Sequence, residues 1–282
     1  MKKKLEIKVD TSINLIDCLK EYSFPKNKVK TYVKLGYIYV NGEKLKKLPC
    51  ILKMGDIVVV DEAVNQINSF EIVYEDDNYL IVNKEAGLLT ISTSSKNKIQ
   101  EDTLYKRVRN YLNAKKEYAF IVNRIDKETS GLVVFAKNER LKDLLQSNWN
   151  DIVKKRGYVA VVSGKIIKKG RIDNYLYEDK MTFSHSTKVG GKRAITNYSP
   201  IKSNDKYTML DVNIETGRKN QIRVHMTEMN HPIVGDKKYY CKDNSLKRLA
   251  LHHYEIDLID PLTGKLLVFK LEVPHEFYKL FD

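Results

Sequence analysis

Asn123-Arg-Ile-Asp-Lys-Glu-Thr-Ser-Gly131 interrupts an apolar, strand-like stretch that resumes as Leu132 to Phe135. The spacing predicts two strands joined by a loop that carries one carboxylate, Asp126. Such a loop holds a side chain steadily while leaving it reachable, and Arg124, Thr129, Ser130 and Gly131 add a cation, two hydroxyls and a residue free to take positive φ. Asp is also a favoured turn residue, so a purely structural cap is the competing reading of this segment alone. Two further unusual stretches weigh against it: Thr216-Gly-Arg-Lys-Asn-Gln-Ile-Arg-Val-His225 and His231-Pro-Ile-Val-Gly-Asp-Lys-Lys-Tyr239.

The chain has 282 residues, enough for one sizeable core and a small accessory domain. With 42% hydrophobic and 30% charged residues it reads as soluble and globular rather than disordered. Fifty Lys and Arg against 36 Asp and Glu leave a net charge of +14, which points to polyanionic partners without telling nucleic acid from anionic lipid. Cys18, Cys50 and Cys241 lie far apart, and neither they nor the six histidines have metal-ligand spacing, so free thiols and no metal are expected. The N-terminal lysines precede no apolar run and no window reaches membrane-spanning length, from which a cytoplasmic location follows as an expectation.

Residues 1–62 read as a separate helix-helix-sheet module. Ile13, Ile16 and Leu19 recur at helical spacing, and a second helix runs from Pro25 to Gly36 with Val29 and Val33 inward. Lys26, Lys30 and Lys34 share another face of it, a basic stripe whose bland reading is simple solvation. A hairpin turns at Asn41-Gly42, and Lys53-Met-Gly-Asp56 leads into a strand from Ile57 to Val60. This segment resembles the RNA-binding module of ribosomal small-subunit protein four, on Lys28 to Gly36, Val40-Asn-Gly42 and Met54-Gly-Asp56.

Residues 63–70 read as a linker, and 71–282 as the larger domain. Strands are expected at 72–74, 79–83, 158–162, 193–198, 208–214, 254–258 and 266–271, with helices over 102–112 and 138–149 and a loop over 92–98. The fold class is therefore α+β with a mainly antiparallel, mixed sheet and a small α+β N-terminal domain.

Residues 71–282 resemble the pseudouridine synthases that modify ribosomal large-subunit RNA and, in some members, tRNA. Arg124-Ile-Asp126 with Thr129-Ser-Gly-Leu132 matches the catalytic loop, and Tyr158-Val-Ala-Val-Val-Ser-Gly164 the tyrosine strand. Gly217-Arg218, Gln221 to His225, His231 to Asp236 with Tyr239, Leu251-His252 and Asp260 to Gly264 follow in family order. The resemblance implies a cofactor-free isomerisation in which uracil leaves the ribose, turns, and is rejoined through its carbon five. Asp126 would be the carboxylate at the anomeric carbon, either attacking it or assisting glycal formation. Arg223, on an apolar-alternating stretch, would pair with it, and Tyr158 would stack on the base or help remove the proton from carbon five. The target nucleotide must leave its stack, and Arg124 would fill the vacancy, with Ile222 and Leu251 lining the pocket. Arg193, Arg218 and Lys219 are candidate phosphate contacts beside Lys26, Lys30 and Lys34.

Asn123, Ile125, Lys219, Asn220 and His253 depart from the usual family residues, as do Glu85 and Ser92 to Ser95. The partner read first is ribosomal RNA with tRNA as alternative, and the chain is expected to act as a monomer. A silent RNA-binding or ribosome-assembly factor is the rival from another class. A glycosidase or nucleosidase shares the anomeric-carbon logic but needs a second acid.

Overall fold

A computed structural model describes residues 4–61, 70–92, 102–179, 183–187, 190–239 and 241–282. Most of the linker and the loop expected over 92–98 lie outside the described residues, as does the side chain of Lys34. The chain divides into two compact units, Met1–Ser69 and Phe70–Asp282.

In the first unit the order is β1 (Lys4–Lys8), β2 (Ile13–Asn14), α1 (Leu15–Glu21), α2 (Lys26–Leu35), β3 (Ile38–Val40), β4 (Glu43–Lys44), β5 (Ile51–Leu52) and β6 (Ile57–Asp61). Helix α2 starts after Pro25 and stops at Gly36, whose left-handed φ of 71° lets its N–H reach the Val33 carbonyl. Val29 and Val33 are buried there, while Lys26 and Lys30 are exposed. Ile13 belongs to β2 rather than to the first helix, so the expected 13/16/19 face is replaced by Leu15, Cys18 and Leu19. Antiparallel pairing gives the sheet order β1-β6-β3-β4.

The second unit runs β7 (Glu71–Glu75), β8 (Tyr79–Lys84), α3 (Leu104–Ala114), β9 (Phe120–Ile121), β10 (Ser130–Ala136), α4 (Glu139–Ser147), α5 (Trp149–Ile152), β11 (Val153–Ser163), β12 (Gly170–Glu178), β13 (Ser184–Thr187), β14 (Lys192–Ser203), β15 (Tyr207–Ile214), α6 (Gln221–Glu228), β16 (Leu251–Ile259), β17 (Leu266–Lys270) and α7 (His275–Tyr278). Its sheet has the order β13-β12-β14-β15-β11-β16-β10-β8-β7, with β17 beside β16 and β9 beside β10. The fold is α+β with a mainly antiparallel sheet. One parallel contact, β10 with β16, is the exception among the described strands.

Strand β10 is buried along its whole length because helices cover both its faces. Val133 and Phe135 join Leu104, Val108 and Leu112 of α3 in one core, while Leu132 and Val134 join Leu141 and Leu145 of α4 in another. This period-two division explains an apolar run without polar alternation. Where β10 meets β16, Gly131 has φ of 120°, and a Cβ there would stand 2.2 Å from the His253 carbonyl oxygen. Only glycine permits that approach.

The helix read over 138–149 breaks at Asn148 into α4 and α5. The apolar-alternating stretch around Arg223 is a helix in which Gln221 to Met226 are all buried. Strands β12, with charges at Arg171, Asp173 and Glu178, and β13, four residues without an apolar side chain, gave no periodic signal and extend the sheet to its far edge. Among the described residues no helix is long and apolar enough to cross a membrane.

His225, His252 and His253 are buried, and burial lowers their pKa values to about 4, 3 and 4 respectively. The folded chain therefore binds fewer protons than the unfolded one between about pH 6.5 and 4, and stability falls as pH drops through that window. Asp126 and Asp257, which burial pushes upward, oppose part of this. A lower urea midpoint at pH 5 than at pH 7 is expected, with a smaller difference in His225→Gln; equal midpoints would contradict neutral burial.

Candidate active site

The loop between β9 and β10 is fastened on several sides. Thr90 donates to the Ile125 carbonyl at 2.7 Å, the Gly87 N–H to the Lys127 carbonyl at 2.8 Å, and the Thr129 N–H to the Asp126 carbonyl at 3.1 Å. Asn123 accepts from the Val134 N–H at 2.8 Å and so serves as a backbone clamp. Beneath the loop the fully buried Lys84 donates to the carbonyls of Glu85, Leu88 and Lys127 at 2.8, 2.7 and 3.0 Å. Burial, against the pull of Glu128 and Asp126, lowers its pKa to about 7.

Asp126 projects from this loop into an open cleft of about 520 Å3, its side chain one-quarter exposed. Ile125, Tyr158, Ile222 and Leu251 form apolar walls, and Arg124, Arg218 and Lys219 line it with charge. Tyr158 comes from β11 and stacks on His253 of β16, ring centroids 4.4 Å apart and 15° from parallel. Burial raises its phenol, which is therefore neutral at physiological pH.

Arg223 rises from the first turn of α6, but its closest carboxylate is not Asp126. Its Nε and one terminal nitrogen each meet Asp236 at 2.7 Å, a bidentate pair in which both side chains are almost fully buried. The remaining terminal nitrogen donates to Asn220 Oδ1 at 3.0 Å and stands 3.8 Å from Asp126 Oδ2. The expected Arg223–Asp126 pairing is thus a longer-range contact, and sequence reading missed Asp236 and Asn220. The Gly-Asp step at 235–236 marked the region as unusual, but only the fold brings it opposite α6. Asn220 has φ of 54°, a left-handed conformation that Asn tolerates well, and this accounts for its place before the helix.

Gln221 ties the start of α6 to the sheet. It accepts from Thr216 Oγ1 and the Arg218 N–H at 2.7 and 3.0 Å, and donates to the Ile195 carbonyl and Thr196 Oγ1, both at 2.9 Å. Burial raises the pKa of Asp126, while Arg223, Arg124 and Lys238 lower it and Asp236 raises it. The cleft thus offers a partly sheltered carboxylate facing cations, beside an aromatic plane and aliphatic walls. Among the described residues no His, Cys, Asp and Glu cluster could hold a metal.

Arg218 lines the cleft and donates to the Arg193 carbonyl at 2.9 Å, and Lys219 pairs with Glu178 across it. Arg193 itself stands outside, bound in two places to Asp173 at 2.8 and 2.6 Å; its strand position turns the guanidinium to the exposed Asp173. Lys26 and Lys30 belong to the first unit.

The sequence profile of the RNA pseudouridylate synthases matches residues 78–228. An RNA pseudouridine synthase of Bacillus subtilis is 31% identical over 82% of this chain and 80% of its own length. The ribosomal large subunit pseudouridine synthase D of Borreliella burgdorferi is 32% identical, covering 90% of this chain and 83% of its own. The human RNA pseudouridylate synthase domain containing 1 has a similar fold, with a TM-score of 0.60 at 19% identity over 73% of this chain and 84% of that one.

Lys84→Met removes three bonds beneath the Asp126 loop. Faster amide hydrogen exchange at Gly87 and Thr129 is expected; unchanged protection would refute the clamp.

Proposed function

This chain belongs to the RNA pseudouridylate synthase family, isomerases acting on RNA, and from that premise we propose that it converts uridines of large-subunit ribosomal RNA to pseudouridine with Asp126 as the reacting carboxylate. The observation that carries the residue assignment is the convergence of Asp126, Tyr158 and Arg223 on one cleft from a loop, a strand and a helix far apart in sequence. Relatives named ribosomal large subunit pseudouridine synthase D, at 28% to 32% identity, support the choice of RNA.

In the proposed reaction the target uridine leaves its stack at a cost of a few kcal/mol and enters the cleft, with Arg124 occupying the space it vacates. Asp126 acts at the sugar, either adding to C1′ or taking the hydrogen from C2′, as the N1–C1′ bond breaks. The uracil turns between Tyr158, Ile222 and Leu251 and forms the C5–C1′ bond, as the Asp126 carboxylate leaves C1′ on the first route or returns the proton to C2′ on the second. The C5 proton is then lost and N1 ends protonated, so the overall change is an isomerisation. The raised pKa of Tyr158 favours a stacking role over that of the base for this proton. Arg223, held by Asp236 and Asn220, favours the ionised form of Asp126 against the effect of burial.

In cells lacking the protein, wild type should restore specific pseudouridines in large-subunit RNA and Asp126→Ala none, read by pseudouridine mapping. Equal restoration by both would remove Asp126 from the chemistry, and restoration in tRNA alone would move the substrate there. Arg223→Gln withdraws a cation that lowers the Asp126 pKa, so the acid limb of its pH–rate profile should move to higher pH, with a lower maximal rate. An unmoved limb would break the electrostatic link. The basic face of α2 is proposed to contact RNA backbone; removing Lys26 and Lys30 should reduce the slope of log Kd against log salt by about 0.7 per lost contact to single-stranded RNA.

A further inference from the structure

Next to the cleft that holds the proposed uridine site lies a second lobe of about 600 Å3, sharing Arg124, Asp126, Lys219, Asn220 and Arg223 with the first. Its own walls come from three separate segments: Lys127 and Glu128 of the loop, Lys237 and Lys238 of the turn after Asp236, and Lys247 and Arg248 before β16. The turn and the last segment lie close because Gly235, with φ of 76°, presses against the Arg248 backbone, where a Cβ would stand 2.1 Å from the carbonyl oxygen. Eight cations line the lobe against three carboxylates, Asp126, Glu128 and Asp236.

The cations are not equivalent. Arg223 is committed to Asp236, Lys219 to Glu178, and Arg248 to Ser130 and Glu276. Lys127, Lys237 and Lys247 are exposed and have no side-chain partner among the described residues. Lys238 has its pKa lowered by partial burial and then by the neighbouring Lys219 and Arg223. A solvated lysine face is ordinarily convex and local in sequence. These lysines converge on a concavity from distant segments, and its volume falls within the roughly 300–1,000 Å3 of ligand sites.

We propose that this lobe is a phosphodiester site, in which Lys127, Lys237 and Lys247 hold the backbone of the nucleotide flanking the uridine. The proposal rests on the reading of the first lobe as the uridine site. A ribose within RNA is bonded on both sides to phosphodiesters, so a sugar whose C1′ meets Asp126 carries a phosphate into the immediate surroundings of that carboxylate. The shared wall makes the second lobe an adjoining volume with the matching charge. Glu128, also in the lining, is the carboxylate that a phosphate held by Lys127 would have to avoid. Backbone contacts of this kind fix register without reading sequence.

The test is the salt dependence of binding of the full chain to a fluorescent oligouridylate, followed by anisotropy. Combining Lys127→Ala, Lys237→Ala and Lys247→Ala should lower the slope of log Kd against log salt by about 2, at about 0.7 per contact. Binding at 0.1 M salt should weaken on the order of a hundredfold on the same counterion-release relation. The control combines Lys165→Ala, Lys168→Ala and Lys169→Ala, which remove equal charge from exposed positions lining neither lobe. Arginine at the three lobe positions should preserve most of the wild-type slope. If the lobe and control triples change it equally, the lobe lysines are solvated charges and the proposal is overturned. Pseudouridine formation by the same wild-type preparation is scored separately: no product with a lobe-specific slope would refute the uridine reading alone, whereas product with no lobe-specific slope would refute the phosphodiester site alone.

Discussion

A guanidinium enclosed in protein requires a complete set of partners, and the cleft is organised around how Arg223 obtains them. Asp236 takes two of its arms and Asn220 a third, leaving the charge turned toward Asp126 at 3.8 Å. Breaking such a buried pair by removing one member costs about 3–5 kcal/mol, because the remaining charge is left unpaired. Asp236 is itself fixed by the backbone N–H groups of Lys238 and Tyr239 at 3.0 and 3.1 Å. The direction of a cation at the cleft is therefore determined by a turn more than ten residues away in the chain.

The opposite wall obeys a backbone constraint. The parallel contact between β10 and β16 carries Gly131 against His253, which brings the loop bearing Asp126 alongside the start of β16, where Leu251 and the Tyr158–His253 stack lie. Lys84 and Thr90 then hold that loop by its own peptide carbonyls, and Asn123 anchors it through its side chain to the Val134 N–H. Two of these clamps act on backbone carbonyls, so the identity of neighbouring loop residues is left free for substrate contacts.

Electrostatically the cleft balances opposing effects on one carboxylate. Burial raises the pKa of Asp126, and three cations lower it. In the proposed reading of the cleft as an RNA site, ionisation of the carboxylate and attraction of a polyanion draw on this common field. Tyr158, raised by burial and flanked by aliphatic side chains, supplies a neutral plane inside that field.

Much of this was legible along the chain because it depends on local periodicity and turn chemistry. The Pro25-to-Gly36 helix, the Asn41-Gly42 turn and the apolar run of β10 announce themselves through neighbours a few residues away. Asp126, Tyr158 and Arg223 stood out through the order of their motifs, and the structure brings all three to one cleft. Periodicity failed at α6, where burial on every side erases the helical pattern, at β12, whose exposed charges hide the strand alternation, and at β13, whose four residues include no apolar side chain. The sequence by itself determined the α+β class, the basic charge and the residue types at the cleft. Tertiary structure alone decided that Arg223 bonds Asp236 directly while meeting Asp126 at 3.8 Å, that Arg193 stands outside the cleft, and that Lys127 shares one concavity with Lys237 and Lys247. Those outcomes depend on distances between segments remote in the chain, which packing sets and no local pattern encodes.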